Sequence, residues 1–154
     1  MKVCEEYSHL NAIEIIESKG HLLKQVRTFL NDKSCVFAKN ATIPIKKKIA
    51  LKFNNAGWSD KVRVSKSNLT ISFLKDEIGV CFQLGNVART YADVLKLCLL
   101  GEKGKIKAGI IIVPDKLESK MLGTNYADYR RLSGEIKIFK DILRTPILII
   151  GLSN

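Results

Sequence analysis

The chain has 154 residues, 46% of them hydrophobic, which suits one globular domain with a substantial core. It carries 26 lysines and arginines against 15 acidic residues, a net charge of +11. A charge this large favours a polyanionic partner such as nucleic acid, although solubility alone would also account for it. The charge does not distinguish DNA from RNA.

The sequence lacks the signals of a membrane or secreted protein. No apolar run reaches the roughly 18–20 residues that a membrane-spanning helix needs. The N-terminus, MKVCEEYSHL, carries acids where a signal peptide has a basic start and an apolar block. We therefore expect a soluble, cytoplasmic protein that makes no use of a membrane.

The cysteines and histidines give no sign of a metal centre. Cys4, Cys35, Cys81 and Cys98 are scattered without the paired spacing of a structural zinc site. A disulfide scaffold is not expected in a chain of this size, so the four thiols are predicted to be reduced and mostly buried. The only two histidines have no nearby partner that would make a metal site or a catalytic triad.

The first part of the chain, residues 1–42, is predicted to be helical. Leu10 to Leu30 carries apolar residues at helical spacing, with Ser8 as a candidate N-cap and Gly20 as a break. A short basic helix is predicted from Lys46 to Asn55, where it meets the stop signal of residues 55–57.

The pattern then changes to that of β-strands. Residues 62–64, 69–74 and 78–84 are predicted to be three antiparallel strands, with Asp76 and Glu77 as a two-residue turn between the last two. Asn86 is predicted to cap a helix that runs to about residue 100. The apolar run AGIIIV at 108–113 is typical of a strand that is buried on both faces.

The rest of the chain continues the alternation of helix and strand. A loop is predicted at 117–126, a helix at 126–143 and a last buried strand at 146–151. The second half is therefore βαβ-like, and its crossover helix should pack on one sheet face. We predict a single α/β domain over residues 1–154, with a mixed β-sheet flanked by helices.

The proposed hairpin brings three polar side chains together. With a turn at 76–77, Lys75 pairs with Ile78, and Ser72 pairs with Cys81 three steps further along the ladder. Gln83 lies two residues after Cys81 and so on the same face, which we expect to be exposed. These side chains lie beside the start of the following helix, a position that favours anions.

The hairpin and its flanks resemble the catalytic core of BglII-like type II restriction endonucleases, of the PD-(D/E)XK nuclease superfamily. That family has an Asp on the first arm and, about nine residues later, an apolar-acid-apolar-Gln/Glu-apolar-x-Asn run, which VCFQLGN at 80–86 resembles. NAGW at 55–58, KIKAGIIIV at 105–113 and TPILIIG at 145–151 resemble flanking segments of the family. The resemblance covers residues 43–151 and implies a nuclease-like core there.

The active-site positions depart from the family pattern. Ser72 stands where the family has Asp, Cys81 stands where it has Glu, and Gln83 is retained. The family's carboxylates hold Mg²⁺, for which a hydroxyl and a thiol are poor ligands. The resemblance therefore implies a duplex DNA-binding protein with an impaired nuclease site and no cofactor. By analogy with the family we expect a homodimer, or a non-catalytic partner of a nuclease subunit.

Three alternatives stay open at this stage. The chain could be a Mg²⁺-dependent endonuclease that uses Asp76, Glu77 or Glu102 with Gln83, if a slip in the hairpin register turned one of these acids toward the site. The chain could be a protein-binding inhibitor or assembly module with incidental charge. Ser72 and Cys81 could also be ordinary strand residues of an unrelated α/β domain.

Basic and polar residues around the predicted core are candidates for contact with nucleic acid, although a solvated surface explains each of them as well. These candidates are Lys46, Lys47, Lys48, Lys52, Asn86, Arg89, Lys96, Arg130 and Arg131.

Overall fold

A mixed β-sheet forms the centre of the computed structural model, which describes residues 1–66 and 68–154. In this part of the chain six strands lie in the order β1-β6-β5-β4-β3-β2. Strands β4, β5 and β6 are parallel, and the remaining pairs are antiparallel. The elements are β1 (Lys2–His9), α1 (Ala12–Glu17), α2 (Leu22–Leu30), α3 (Thr42–Asn55), β2 (Ser59–Arg63), β3 (Thr70–Lys75), β4 (Ile78–Phe82), α4 (Val87–Glu102), β5 (Ala108–Pro114), α5 (Lys116–Leu122), α6 (Tyr129–Ile138) and β6 (Ile147–Ser153). The predicted α/β fold with a mixed sheet is confirmed.

Helices cover both faces of the sheet because its central strands are apolar on both sides. All residues of β5 are buried, as is β6 apart from its last residue. Helices α1, α2 and α3 pack over one face around Phe53 and Ile110, and α4 and α6 cover the other around Leu97 and Ile111. Within the described residues, no helix combines the length and the apolar character required to cross a membrane.

The hairpin between β3 and β4 has the predicted turn and register. Asp76 and Glu77 have φ values of 46° and 65°, as a two-residue turn of the type I′ class requires. Leu74 pairs with Gly79, and the pairs on either side of it, 73 with 80 and 75 with 78, are also those expected. The fourth expected pair, Ser72 with Cys81, lies beyond the regular ladder.

The N-terminal segment is not entirely helical, and the prediction for residues 1–42 was wrong in this respect. Residues 2–9 form β1, which pairs antiparallel with the buried strand β6 and has a bulge between Val3 and Glu5. The strand KVCEEYSH lies at the sheet edge and is mostly polar, so it lacks the apolar alternation by which strands are recognised.

The N-terminal helices follow the prediction more closely. Gly20, at φ 80°, separates α1 from α2 as expected. The Ser8 hydroxyl accepts a hydrogen bond of 3.1 Å from the Ile13 N–H, although Asn11 holds the N-cap position of α1. Helix α3 begins at Thr42, before the predicted Lys46, because Pro44 falls in the first turn, where no intrahelical N–H bond is lost.

Two elements in the second half differ from expectation. The predicted loop at 117–126 contains helix α5, whose Leu122 packs into the core. Helix α6 is shorter than the predicted 126–143, since Asp128 caps it by accepting from the Arg131 N–H at 2.9 Å. The predicted cap at Asn86 is confirmed, with its side chain accepting from the Ala88 N–H at 2.8 Å.

Two glycine substitutions test the packing of α6 on β6, and they should change the free energy of unfolding in opposite directions. A methyl group at Gly151 of β6 would lie 2.8 Å from Cγ of the Tyr129 ring, so Gly151→Ala should lower the free energy of unfolding by about 1–3 kcal/mol. Gly134 lies within α6 with open space around it, so Gly134→Ala should raise that free energy by about 0.5–1 kcal/mol. Urea unfolding measures both, and equal stability of the two variants would contradict this packing of α6 on β6.

Candidate functional site

A cleft of about 450 Å³ lies where β3 and β4 separate, between helices α3 and α4. It brings together five of the residues that the sequence singled out: Ser72, Gln83, Lys46, Arg89 and Lys96. Asp60, Lys61 and Asp93 line the same cleft and were not predicted.

Ser72 marks the point where the two strands part. Regular pairing stops at Phe73 and Val80, and the Phe82 N–H then donates to Oγ of Ser72 at 2.9 Å rather than continuing the backbone ladder. On the neighbouring strand β2, the residue opposite Ser72 is Lys61, which has a left-handed backbone with φ 48°. The end of the hairpin away from its turn is therefore irregular, and the cleft opens there.

The expectation that Cys81 and Gln83 lie on an exposed face was wrong. Cys81 is 1% exposed and belongs to the apolar core on the α4 side of the sheet, and Gln83 is 7% exposed. Helix α4 crosses directly over this strand end, which covers both side chains. Burial raises the pKa of the Cys81 thiol well above its ordinary value, and the nearby carboxylate of Asp93 raises it further. The thiol is therefore neutral at physiological pH.

The retained glutamine belongs to a buried polar network centred on Asp93. Nε2 of Gln83 donates to Oδ2 of Asp93 at 2.8 Å, and Nζ of Lys96 lies 2.5 Å from Oδ1. Lys96 also donates to the carbonyl of Thr70 at 2.8 Å, which ties α4 to β3. Oε1 of Gln83 is buried and has no partner among the described residues. Both oxygens of Asp93 are thus occupied, and its charge is neutralised.

Sequence reasoning missed Asp93 because its partner Gln83 lies in another element. One signal was available. Asp93 lies on the same face of α4 as Leu97 and Leu100, both of which are buried. An acid on the apolar face of a helix needs a partner when it is buried, so it marks a polar network at that point.

The acids proposed as replacements lie elsewhere. Asp76 and Glu77 form the hairpin turn, at the opposite end from the cleft, and the register has not slipped. Glu77 is paired with Lys19 at 2.5 Å, and a hydrogen bond from that lysine lowers the pKa of the carboxyl. Glu102 is the last residue of α4. Asp60 and Asp93 are the carboxylates that line the cleft, among the described residues.

Cations of three elements converge on the cleft. Lys46 comes from α3, Lys61 from β2, and Arg89 and Lys96 from α4. Burial lowers the pKa of Lys46, and repulsion from Arg89 lowers it further. The carboxylate of Asp93 opposes this shift, so the lowered pKa reflects burial of Lys46 and its closeness to Arg89.

The remaining candidates for nucleic-acid contact lie outside the cleft. Lys52 lies 2.7 Å from Asp32 and Lys48 lies 3.8 Å from it, and the bond from Lys52 holds the pKa of the Asp32 carboxyl far below its usual value. Lys47 is exposed, and Asn86 caps α4. The other two are ion-paired, Arg130 with Asp115 at 3.4 Å and Arg131 with Glu135 at 2.9 Å.

An apolar groove of about 220 Å³ lies between α4 and α6, apart from the cleft. Several large apolar side chains that line it are exposed, including Leu95 at 68%, Phe139 at 46% and Ile142 at 72%. Among the described residues that line the groove, Glu135 alone is charged, and its partner is Arg131.

Comparison with solved structures places this fold beside a known enzyme. The crystal structure of restriction endonuclease BglII complexed with a DNA 16-mer superposes with a TM-score of 0.83 and 17% sequence identity, covering 100% of this chain and 79% of that chain. The crystal structure of free BglII gives a TM-score of 0.79 at 17% identity, covering 100% of this chain and 80% of that chain.

Comparison of sequences gives a family assignment. No curated protein matches the chain significantly. The family model for restriction endonuclease BglII/BglIII matches residues 4–152. Since that match spans almost the whole chain, the predicted resemblance is confirmed, and the chain belongs to the BglII/BglIII restriction endonuclease family.

Proposed function

We propose that this protein binds duplex DNA through the cleft and does not cut it. The observation that carries the proposal is the network around Asp93, in which a lysine and a glutamine occupy both carboxylate oxygens. DNA is the ligand in the related BglII complex, and the shared fold supports the same ligand class here.

The side chains at the family's active-site positions do not fit Mg²⁺. The ion prefers hard oxygen donors, usually carboxylates, in an octahedral arrangement. Ser72 offers a hydroxyl that already accepts a backbone hydrogen bond, and Cys81 offers a neutral, buried thiol. Gln83 has one oxygen without a hydrogen-bond partner, and each oxygen of Asp93 in the same cleft already has a partner, Gln83 or Lys96.

Charge supports the choice of a nucleic acid as partner. The chain carries +11 overall, and four cations line the cleft against two carboxylates. Binding of phosphates to lysine and arginine releases condensed counterions, which drives association at low salt.

A second candidate function is a Mg²⁺-dependent endonuclease with relocated acids. The specific observation in its favour is that Asp60 and Asp93 line the same cleft as Gln83. Metal binding would then require Lys96 to release Asp93. In this candidate, Asp60 and Asp93 replace Asp76 and Glu77 as the acids that would bind the metal, because Asp76 and Glu77 lie at the far end of the hairpin.

We expect the protein to retard duplex plasmid DNA in a salt-sensitive manner without breaking it. Incubation with plasmid in Mg²⁺ or in chelator, from about 50 to 200 mM salt, should give mobility shifts that weaken by about tenfold or more at the higher salt, because phosphate contacts dominate affinity. Agarose electrophoresis after deproteinisation reads nicks and linear DNA separately from binding.

Two results would contradict the proposal. Breaks that need Mg²⁺ and disappear in both Asp93→Asn and Asp60→Asn would establish the second candidate. If the protein neither shifted nor broke the plasmid, a protein-binding role would remain. A labelled duplex of random sequence at low salt is the control ligand for that result.

We further propose that two copies associate through the groove between α4 and α6. The groove is apolar, and the charge that lines it is internally paired, so two strongly basic chains can approach there with least repulsion. Exposed apolar patches of this kind usually mark an interaction surface. A second copy, or a nuclease subunit with a matching face, would suit it.

A charge in the groove should separate the copies. In sedimentation analysis we expect wild type to have twice the chain mass, and Leu95→Glu with Ile142→Glu to have the single-chain mass, because carboxylates there would be buried unpaired. Leu117→Glu with Met121→Glu, on α5 and 63% and 50% exposed, adds the same charge outside the groove and should remain dimeric. A monomeric wild type would contradict the proposal.

A further inference from the structure

The cleft contains more positive charge than its own carboxylates neutralise. Lys46, Lys61 and Arg89 all line it, and none of the three is ion-paired with a described residue. Lys46 is half-buried, and its lowered pKa reflects burial and the closeness of Arg89. Lys61 and Arg89 are exposed. Cations that lie close together repel one another, and an anion between them would remove that repulsion.

The backbone directs one of these cations to the site. Lys61 adopts the left-handed conformation, which is rare for a residue with a side chain, at the place on β2 where pairing with β3 is interrupted. The residues on either side of it, Asp60 and Val62, keep their partners on β3. Lys61 therefore lines the cleft from an otherwise regular edge strand.

The buried carboxylate does not oppose an anion there. Asp93 is neutralised by Lys96 at 2.5 Å and accepts from Gln83 at 2.8 Å. Asp60, which is exposed, is the remaining carboxylate among the described lining residues. The volume of about 450 Å³ lies within the range of roughly 300–1,000 Å³ usual for ligand pockets.

We infer that the cleft is a metal-independent phosphate site, in which Lys46, Lys61 and Arg89 hold a backbone phosphate of the bound duplex and Lys96 supplies the positive charge beside Asp93. Arginine matches a phosphate through two parallel N–H bonds, and the lysines act as point charges. This inference rests on the proposed function, because it names the group of the DNA that occupies the cleft.

The test compares two triple variants that lose the same charge. Lys46→Gln, Lys61→Gln and Arg89→Gln are combined in one chain. Lys103→Gln, Lys120→Gln and Lys140→Gln, all exposed and outside the cleft, are combined in the control. Fluorescence anisotropy with a labelled duplex in chelator measures Kd across a salt series, and thermal melting confirms that both variants fold.

The cleft variant should bind about tenfold more weakly than the control, or weaker still. Its slope of log affinity against log salt should be smaller by about 0.9 for each phosphate that the variant no longer neutralises. Equal affinity and equal slope in the two triple variants would overturn the inference while leaving DNA binding intact. Failure of the wild type to bind duplex would instead overturn the proposed function.

Two further arms separate the sources of the phosphate and test the role of Lys96. Inorganic phosphate that stabilises wild type against heat but not the cleft variant, at matched ionic strength, supports the phosphate site even where duplex binding is absent. In Lys96→Gln, Asp93 loses its partner, so added Mg²⁺ should strengthen duplex binding severalfold, whereas in wild type it should only weaken binding by competition. Identical Mg²⁺ responses would overturn the role given to Lys96.

Discussion

The structure depends on the burial of the parallel strands β4, β5 and β6 from both sides. Every residue of β4 and β5 is buried, so the sheet requires a helical layer on each face. A parallel connection from β4 to β5 needs a crossover helix, and α4 provides it. That crossover brings Asp93 and Lys96 over the end of β4, beside Gln83, and so determines what the cleft contains.

The sequence was most informative where local chemistry decides structure. Two residues in a left-handed turn set the hairpin register, and the Asn86 cap and the continuous apolar runs predicted the βαβ half. It was least informative where a partner decides structure. Strand β1 is held by its ladder to β6, and its own sequence is mostly polar. Similarly, the polarity of Gln83 was visible in the sequence, whereas its burial depends on α4.

The buried network is better explained by specificity than by stability. A buried ion pair loses much of its hydration on folding, and a well-packed apolar pair often serves stability equally well. The network, however, joins three parts of the cleft. Lys96 of α4 contacts the Thr70 carbonyl of β3, and its partner Asp93 accepts from Gln83 at the end of β4. This arrangement fixes the distance between α4 and the parted end of the hairpin.

The proposed function implies that a lysine takes the place of a metal ion, which would change the conditions under which the site binds DNA. A cluster of carboxylates repels a nearby phosphate, and a bound divalent cation offsets that repulsion and activates water for cleavage. Here the cation beside the buried acid is part of the chain. In the proposed alignment, a serine and a cysteine take the places of the family's two acids. Under the proposed function, these residues lower the electrostatic barrier to metal-free binding and leave no metal to activate water. One set of substitutions thus accounts for both halves of the proposal, binding retained and cleavage lost.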